Sequence, residues 1–290
     1  MSPMVSFSID MWKQNKMPAI STSFNRFLLV LLLQISLIPV AKSQLPVLST
    51  QQLQWLGERV FTNECASDYE CLTSWNSGED FPSLGIGHFI WFQQGQIEPF
   101  EETFPALLQH YHSRNVTLLP WLQALPGPDS PWRDRQQFYA EFDGAEMQQL
   151  RQFLATTKAV QVDFIARRLQ AALPMLLTGV AEQERRSLDT RFHRIAQSHA
   201  PYGIYALIDY VHFKGTGTRP QERYQGQGWG LLQVLQQMQD GPDTLYSFVA
   251  AATTILEQRV ANAPRERNEQ RWLAGWHKRL QTYLPPAAEN

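Results

Sequence analysis

Ser49-Thr-Gln-Gln-Leu-Gln-Trp-Leu-Gly-Glu-Arg-Val-Phe-Thr-Asn-Glu64 keeps one period throughout, and the residues after it abandon that period. Ser49 or Thr50 supplies a helix N-cap, because a hydroxyl there accepts from a backbone N–H that lacks a helical partner. Leu53, Leu56, Val60 and Phe61 then fall on one stripe, so the segment reads as an amphipathic helix closing at Glu64. Residues 65–97 carry Gly78, Pro82, Gly85, Gly87 and Gly95 and read as loop with short strands, Phe89-Ile-Trp-Phe92 being the strand candidate.

Working outward, helical spacing dominates the remainder. The expected helices are 99–113, 131–139, 143–155, 157–177, 179–199, 203–213, 228–239, 243–261 and 266–283. They are separated by Pro120, the stretch 126–131, Gly179, Pro201, Gly215-Thr-Gly217, Gly241-Pro242 and Pro264. There is no internal repeat and no low-complexity linker. One small β patch set early in a helical chain predicts an α+β fold, mainly α.

The first 43 residues read differently. Lys13, Lys16 and Arg26 precede the apolar run Phe27–Val40, and Ala41-Lys-Ser43 offers a small-x-small cleavage site. This is the pattern of a secretory signal peptide, and the run is short for a membrane span of about 20 residues. Met17 offers a later start. The expected organisation is a signal segment over 1–43 and one catalytic domain over 44–290, periplasmic or secreted, with no stable membrane insertion after cleavage. Of 290 residues, 43% are hydrophobic and 18% charged, which excludes a disordered chain. Net charge is −2, and residues 44–290 are more acidic still, which argues against nucleic acid as a partner. Cys65 and Cys71 are the two cysteines, and in an oxidising compartment they predict a disulfide.

Three clusters carry candidate chemistry. Glu64 lies at a helix C-terminus, where the dipole opposes its negative charge, as suits a proton donor. Glu79 and Asp80 sit together before the glycine-rich Ser83-Leu-Gly-Ile-Gly-His88, where either could polarise water or steady a cationic sugar centre. Ala206–Gly217 and Gly226–Leu235 bring Tyr210, Gln227, Trp229 and Gln233 beside glycine turns, a composition suited to a cleft wall for sugars. The seven histidines include no i, i+4 pair, so no metal site is expected, and no cofactor is expected either. No Gly-x-Ser-x-Gly elbow occurs.

Glu64 closing an early helix, then Ser83-Leu-Gly-Ile-Gly-His88 in a hairpin, resembles the phage-type lysozyme pattern of a glutamate followed by Thr-Ile-Gly-Ile/Tyr-Gly-His. Ala206-Leu-x-x-Tyr210, Gly215-x-Gly217 and Leu231-Leu232 resemble later elements of that family in the same order. Gly230-Leu-Leu-Gln-Val234 is similar to a motif of lytic transglycosylases and goose-type lysozymes. The likeness spans roughly 50–92 and 203–238. It implies a lysozyme-like fold with a small β-hairpin region and extra helices, and an exported bacterial glycosidase acting on β-1,4-linked amino-sugar polymers, peptidoglycan first. It also implies Glu64 as general acid, Ser83 where the family has a threonine that helps hold the attacking water, and His88 at the place of a mainly structural histidine; the residues expected toward substrate are His88, Tyr210, Gln227, Trp229 and Gln233. The family's second carboxylate follows the glutamate by nine residues, where this chain has Thr73, so that role passes to Glu79, with Asp80 close behind and Asp68 and Glu70 as the alternatives. A transglycosylase, a chitosanase and a non-catalytic glycan binder are the alternatives. The oligomeric state stays open.

Overall fold

Ser49 caps helix α1 (Thr50–Cys65) with a reciprocal box: its Oγ accepts from Gln52 N at 3.2 Å, and Gln52 Oε1 accepts from Ser49 N at 2.9 Å. Leu56, Val60, Phe61 and Cys65 line its buried face, which packs along α6 (Lys158–Leu176). Gly57 makes that approach possible, since a Cβ there would stand 2.9 Å from the Lys158 carbonyl carbon. The computed structural model describes residues 44–97 and 101–286; the expected signal segment over 1–43 lies outside the described residues.

After α1 come three two-residue strands, β1 (Thr73–Ser74), β2 (Ser83–Leu84) and β3 (Phe89–Ile90), paired antiparallel in that order. Thr73 faces Leu84 and Ser83 faces Ile90. The strand expected over 89–92 is shorter because the chain turns away to other acceptors. Trp91 N donates to Pro82 O at 3.2 Å, and Phe92 N donates to Glu102 Oε1 at 2.6 Å.

The helices that follow are α2 (Phe104–Ser113), α3 (Pro120–Gln123), α4 (Arg135–Ala140), α5 (Ala145–Thr156), α6, α7 (Glu182–Gln197) and α8 (Tyr202–Lys214). A small hairpin, β4 (Arg223–Tyr224) and β5 (Gln227–Gly228), precedes α9 (Leu231–Gln237), α10 (Thr244–Asn262) and α11 (Gln270–Gln281). The architecture is therefore α+β and mainly α. Two expectations shift. Helix α2 begins at Phe104 rather than 99, because Thr103 is tied to β3: its N donates to Ile90 O and its Oγ1 accepts from Ile90 N, each at 3.0 Å. The four-residue α3 falls where a break at Pro120 is expected, proline there opening a helical turn.

Helix α8 runs through the core, with Ile204 through Tyr210 all buried, and it touches α1, α6, α7 and α9. That placement brings its polar residues beside the end of α1. Among the described residues, no helix is long and apolar enough to cross a membrane.

Candidate active site

Glu64 occupies the last turn of α1, its side chain 19% exposed, and its Oε1 accepts from Arg279 Nη2 of α11 at 3.0 Å. Among the described residues Oε2 has no hydrogen-bond partner, so one carboxylate oxygen is held and the other is open.

Arg279 is itself fixed from below. Its Nε and Nη2 donate to Asp209 Oδ2 and Oδ1 at 2.8 and 2.7 Å. Asp209, on α8, is 1% exposed at its side chain and also accepts from Asn63 Nδ2 at 2.7 Å and Tyr283 OH at 2.6 Å. A carboxylate so deeply buried requires this complete set of donors, since an unpaired buried charge is costly. Burial alone would lower Arg279, but the hydrogen bond and charge of Asp209, then Tyr283 and Glu64, carry it above its usual range. Tyr283 rises well above the ordinary phenol value through burial first and the Asp209 charge next, so it stays a donor.

The β-hairpin is tied to Glu64 through the chain itself. Cys65 and Cys71 are bonded, with Cα atoms 5.5 Å apart, and Leu72 O accepts from Gly85 N at 2.8 Å. Gln161 of α6 pins the turn by accepting from Ile86 N at 2.9 Å while donating to Leu154 O at 2.7 Å. A Cβ on Gly85, whose φ is +68°, would stand 2.3 Å from that Gln161 oxygen, which explains the glycine. His88, with φ 47°, closes the turn. His212 of α8 is exposed, yet the protein massed around it pushes its imidazole below the ordinary value. Glu64 and Asp209 oppose that shift, and His88 and Arg279 add to it. Glu64, His88, His212, Asp209 and Arg279 thus share one electrostatic neighbourhood.

The other expected site residues are placed as follows. Glu79 is half-buried and accepts from Asn76 Nδ2 at 3.1 Å; Asp80 is exposed. Ser83 is buried in β2, and its carbonyl accepts from Ser74 Oγ at 3.3 Å. Thr73, where the lysozyme pattern has its second carboxylate, is 1% exposed and accepts from Arg151 Nε at 3.0 Å. Trp229 is buried, its ring 4.5 Å from that of Tyr224 and 4.0 Å below the Arg259 guanidinium, and its carbonyl accepts from the buried Tyr210 OH at 2.9 Å. Gln233 is enclosed by Gly217, Gly228 and Gly230, accepting from Gly230 N at 3.0 Å and donating to Gly217 O at 3.2 Å. Gln227 is exposed, with its Oε1 3.0 Å from Asn262 Nδ2. Glu64 and His88 thus both lie within electrostatic range of His212, while the Tyr210 hydroxyl and the Gln233 amide are spent inside the glycine-turn region and the Trp229 ring is buried.

Asp209, Arg279 and His212 were not picked out from the sequence. One signal was there: Asp209 is the lone carboxylate on the apolar run Ile204–Tyr210, and a buried acid of that kind needs a cationic partner. A separate cavity of about 700 Å³ runs along α6 beside Leu45–Leu48, and none of the Glu64 neighbours lines it. Among the described residues, no group of three or more His, Cys, Asp or Glu is placed to hold a metal ion. No family model, no curated protein and no solved structure matches this chain.

Proposed function

We propose that the protein is an exported bacterial glycosidase with a lysozyme-like fold, cleaving β-1,4-linked amino-sugar polymers with peptidoglycan as first choice. The observation that carries the reading is the half-held carboxylate of Glu64. Arg279 binds Oε1 and orients the group, and Oε2 is left to meet a glycosidic oxygen. A glycosidic bond breaks when its leaving oxygen is protonated as the sugar centre becomes cationic, and a positioned acid supplies about 10²–10⁴-fold of the rate.

Three groups compete for the second role, activation of water. Glu79 and Asp80 belong to the hairpin segment, and His212 is exposed within the same charge neighbourhood as Glu64. An imidazole held below its ordinary value is neutral at pH 7 and able to accept a proton. Single substitutions Glu79→Gln, Asp80→Asn and His212→Asn rank them.

A zymogram on purified peptidoglycan with the parent protein and Glu64→Gln tests the central claim. Clearing by the parent and none by the variant is the expected result; equal clearing overturns it. Anhydro-sugar products would convert the reading to a lytic transglycosylase, and preference for chitosan to a chitosanase. Binding without any cleavage would make the chain a glycan-binding wall protein.

A further inference from the structure

A groove of about 700 Å³ lies between one face of α6 and the segment leading into α1. On α6 it is lined by Val160, Asp163, Ala166, Arg167, Ala171 and Pro174, whose spacing places them on a single helical face. Leu45, Val47, Leu48 and Ile204 contribute to the other wall. From Asp163 to Pro174 the face runs about 16 Å at 1.5 Å per residue.

The walls are apolar although they are open to water. Val47 is 98% exposed, and Ala171 and Pro174 on α6 are exposed as well. Alanine at 166 and 171 leaves space that longer side chains would fill. An open apolar trough of this size suits an apolar ligand.

Positive charge is in excess on the same face. Arg114 Nη2 and Arg167 Nε both donate to Asp163, the latter to each oxygen at 3.1 Å, and His110 Nε2 lies 2.9 Å from the same carboxylate. Burial works against the Asp163 charge, but hydrogen bonds from His110, Arg167 and Arg114 hold its carboxyl well below the usual carboxylate range. One negative charge therefore serves two guanidiniums. Among the described residues neither arginine pairs with a second carboxylate, and Arg114 Nε and Nη1 and both Nη atoms of Arg167 have no acceptor. Both side chains are exposed, so these donors are open to a ligand. A planar carboxylate matches guanidinium forks, whereas a cationic head meets only a carboxylate already taken.

We infer that the groove binds a long-chain fatty acid, with its alkyl chain along the α6 face and its carboxylate on Arg114 and Arg167. This site is separate from Glu64, and it stands whether or not the chain cleaves glycans.

The test is calorimetric titration of the purified protein at pH 7 with octanoate, laurate and dodecyltrimethylammonium, each kept below its micelle-forming concentration. One laurate should bind per chain. Full burial of a methylene is worth about fourfold in affinity, so laurate should bind roughly tenfold or more above octanoate. The ammonium probe carries the same alkyl chain and should bind roughly tenfold more weakly than laurate, the worth of one charge-assisted hydrogen bond.

Arg114→Gln and Arg167→Gln should each narrow that gap severalfold without weakening the ammonium probe. Ala171→Trp fills the groove and should abolish laurate binding. All three positions are exposed, which keeps the fold, and unchanged thermal midpoints verify it. Equal affinity for octanoate and laurate, equal affinity for the anionic and cationic heads, or many weakly held laurates per chain overturns the site. So does laurate binding that survives Ala171→Trp and both arginine variants unchanged.

Discussion

Asp209 takes both nitrogens that Arg279 turns toward it, at 2.8 and 2.7 Å, from a position where its side chain is 1% exposed. The guanidinium is thereby fixed before it reaches Glu64, and the same Nη2 makes both contacts. Orientation of the acid is thus a property of the core rather than of the surface.

Replacing Asp209 with Asn leaves the shape and removes the charge. Breaking a buried pair from one side costs about 3–5 kcal/mol, because the remaining cation has lost its counter-charge. Urea unfolding should show a drop of that order, and cleavage should fall with it as Glu64 loses its support. A variant as stable as the parent would contradict this account of the clamp.

Glu64→Gln should keep the Arg279 contact through its amide oxygen and so keep the fold. Turbidity loss of a peptidoglycan suspension should slow by about 10²-fold or more, since no proton donor remains. Retention of the parent thermal midpoint separates this loss from unfolding.

Reduction of Cys65–Cys71 opens a short loop whose closure is worth about 2 kcal/mol by chain entropy. Treatment with reductant should lower the thermal midpoint and slow cleavage, because Leu72 holds the hairpin through Gly85. Identical midpoints and rates in both redox states would show that the bridge organises nothing.

Lys214 gives a pH signature. Burial, then Arg259 and Arg279, push its ammonium down to about 6, with Glu269 pulling the other way; a free lysine titrates near about 10.4. Across that interval the unfolded chain binds the extra proton, so stability should climb as pH rises from about 6 toward about 10. Lys214→Met should lack the climb and exceed the parent at pH 7. Urea midpoints at several pH values decide it, and parallel curves would refute it.

Gly230 stands where a Cβ would lie 2.0 Å from Gly217 N and 2.4 Å from its Cα. Both clashes are with backbone, so no side chain can move aside. Gly230→Ala should destabilise by more than about 1 kcal/mol, read as a lower denaturant midpoint. An unchanged midpoint would mean that the two glycine turns do not pack as described.

What the chain declares locally is what its sequence made legible. The Ser49 cap, the stripe from Leu53 to Phe61, the Cys65–Cys71 spacing and the Gly85 turn are each written within a few residues, and each forms. The start of α2 was misplaced because Thr103 bonds to Ile90, a partner that no local pattern names. The clamp was hidden for the same reason. Arg279 ends an amphipathic helix after Lys278, where a basic residue ordinarily faces water.

Glu64 and Arg279 stand 215 residues apart along the chain. A polypeptide leaving the ribosome presents its N-terminal part first, so α1 is made long before its guanidinium partner. Nascent chains that have not yet emerged as far as α11 carry the acid without its anchor. A product truncated before α11 therefore lacks the guanidinium that holds Glu64 Oε1 and balances the buried charge of Asp209, however well α1 has formed.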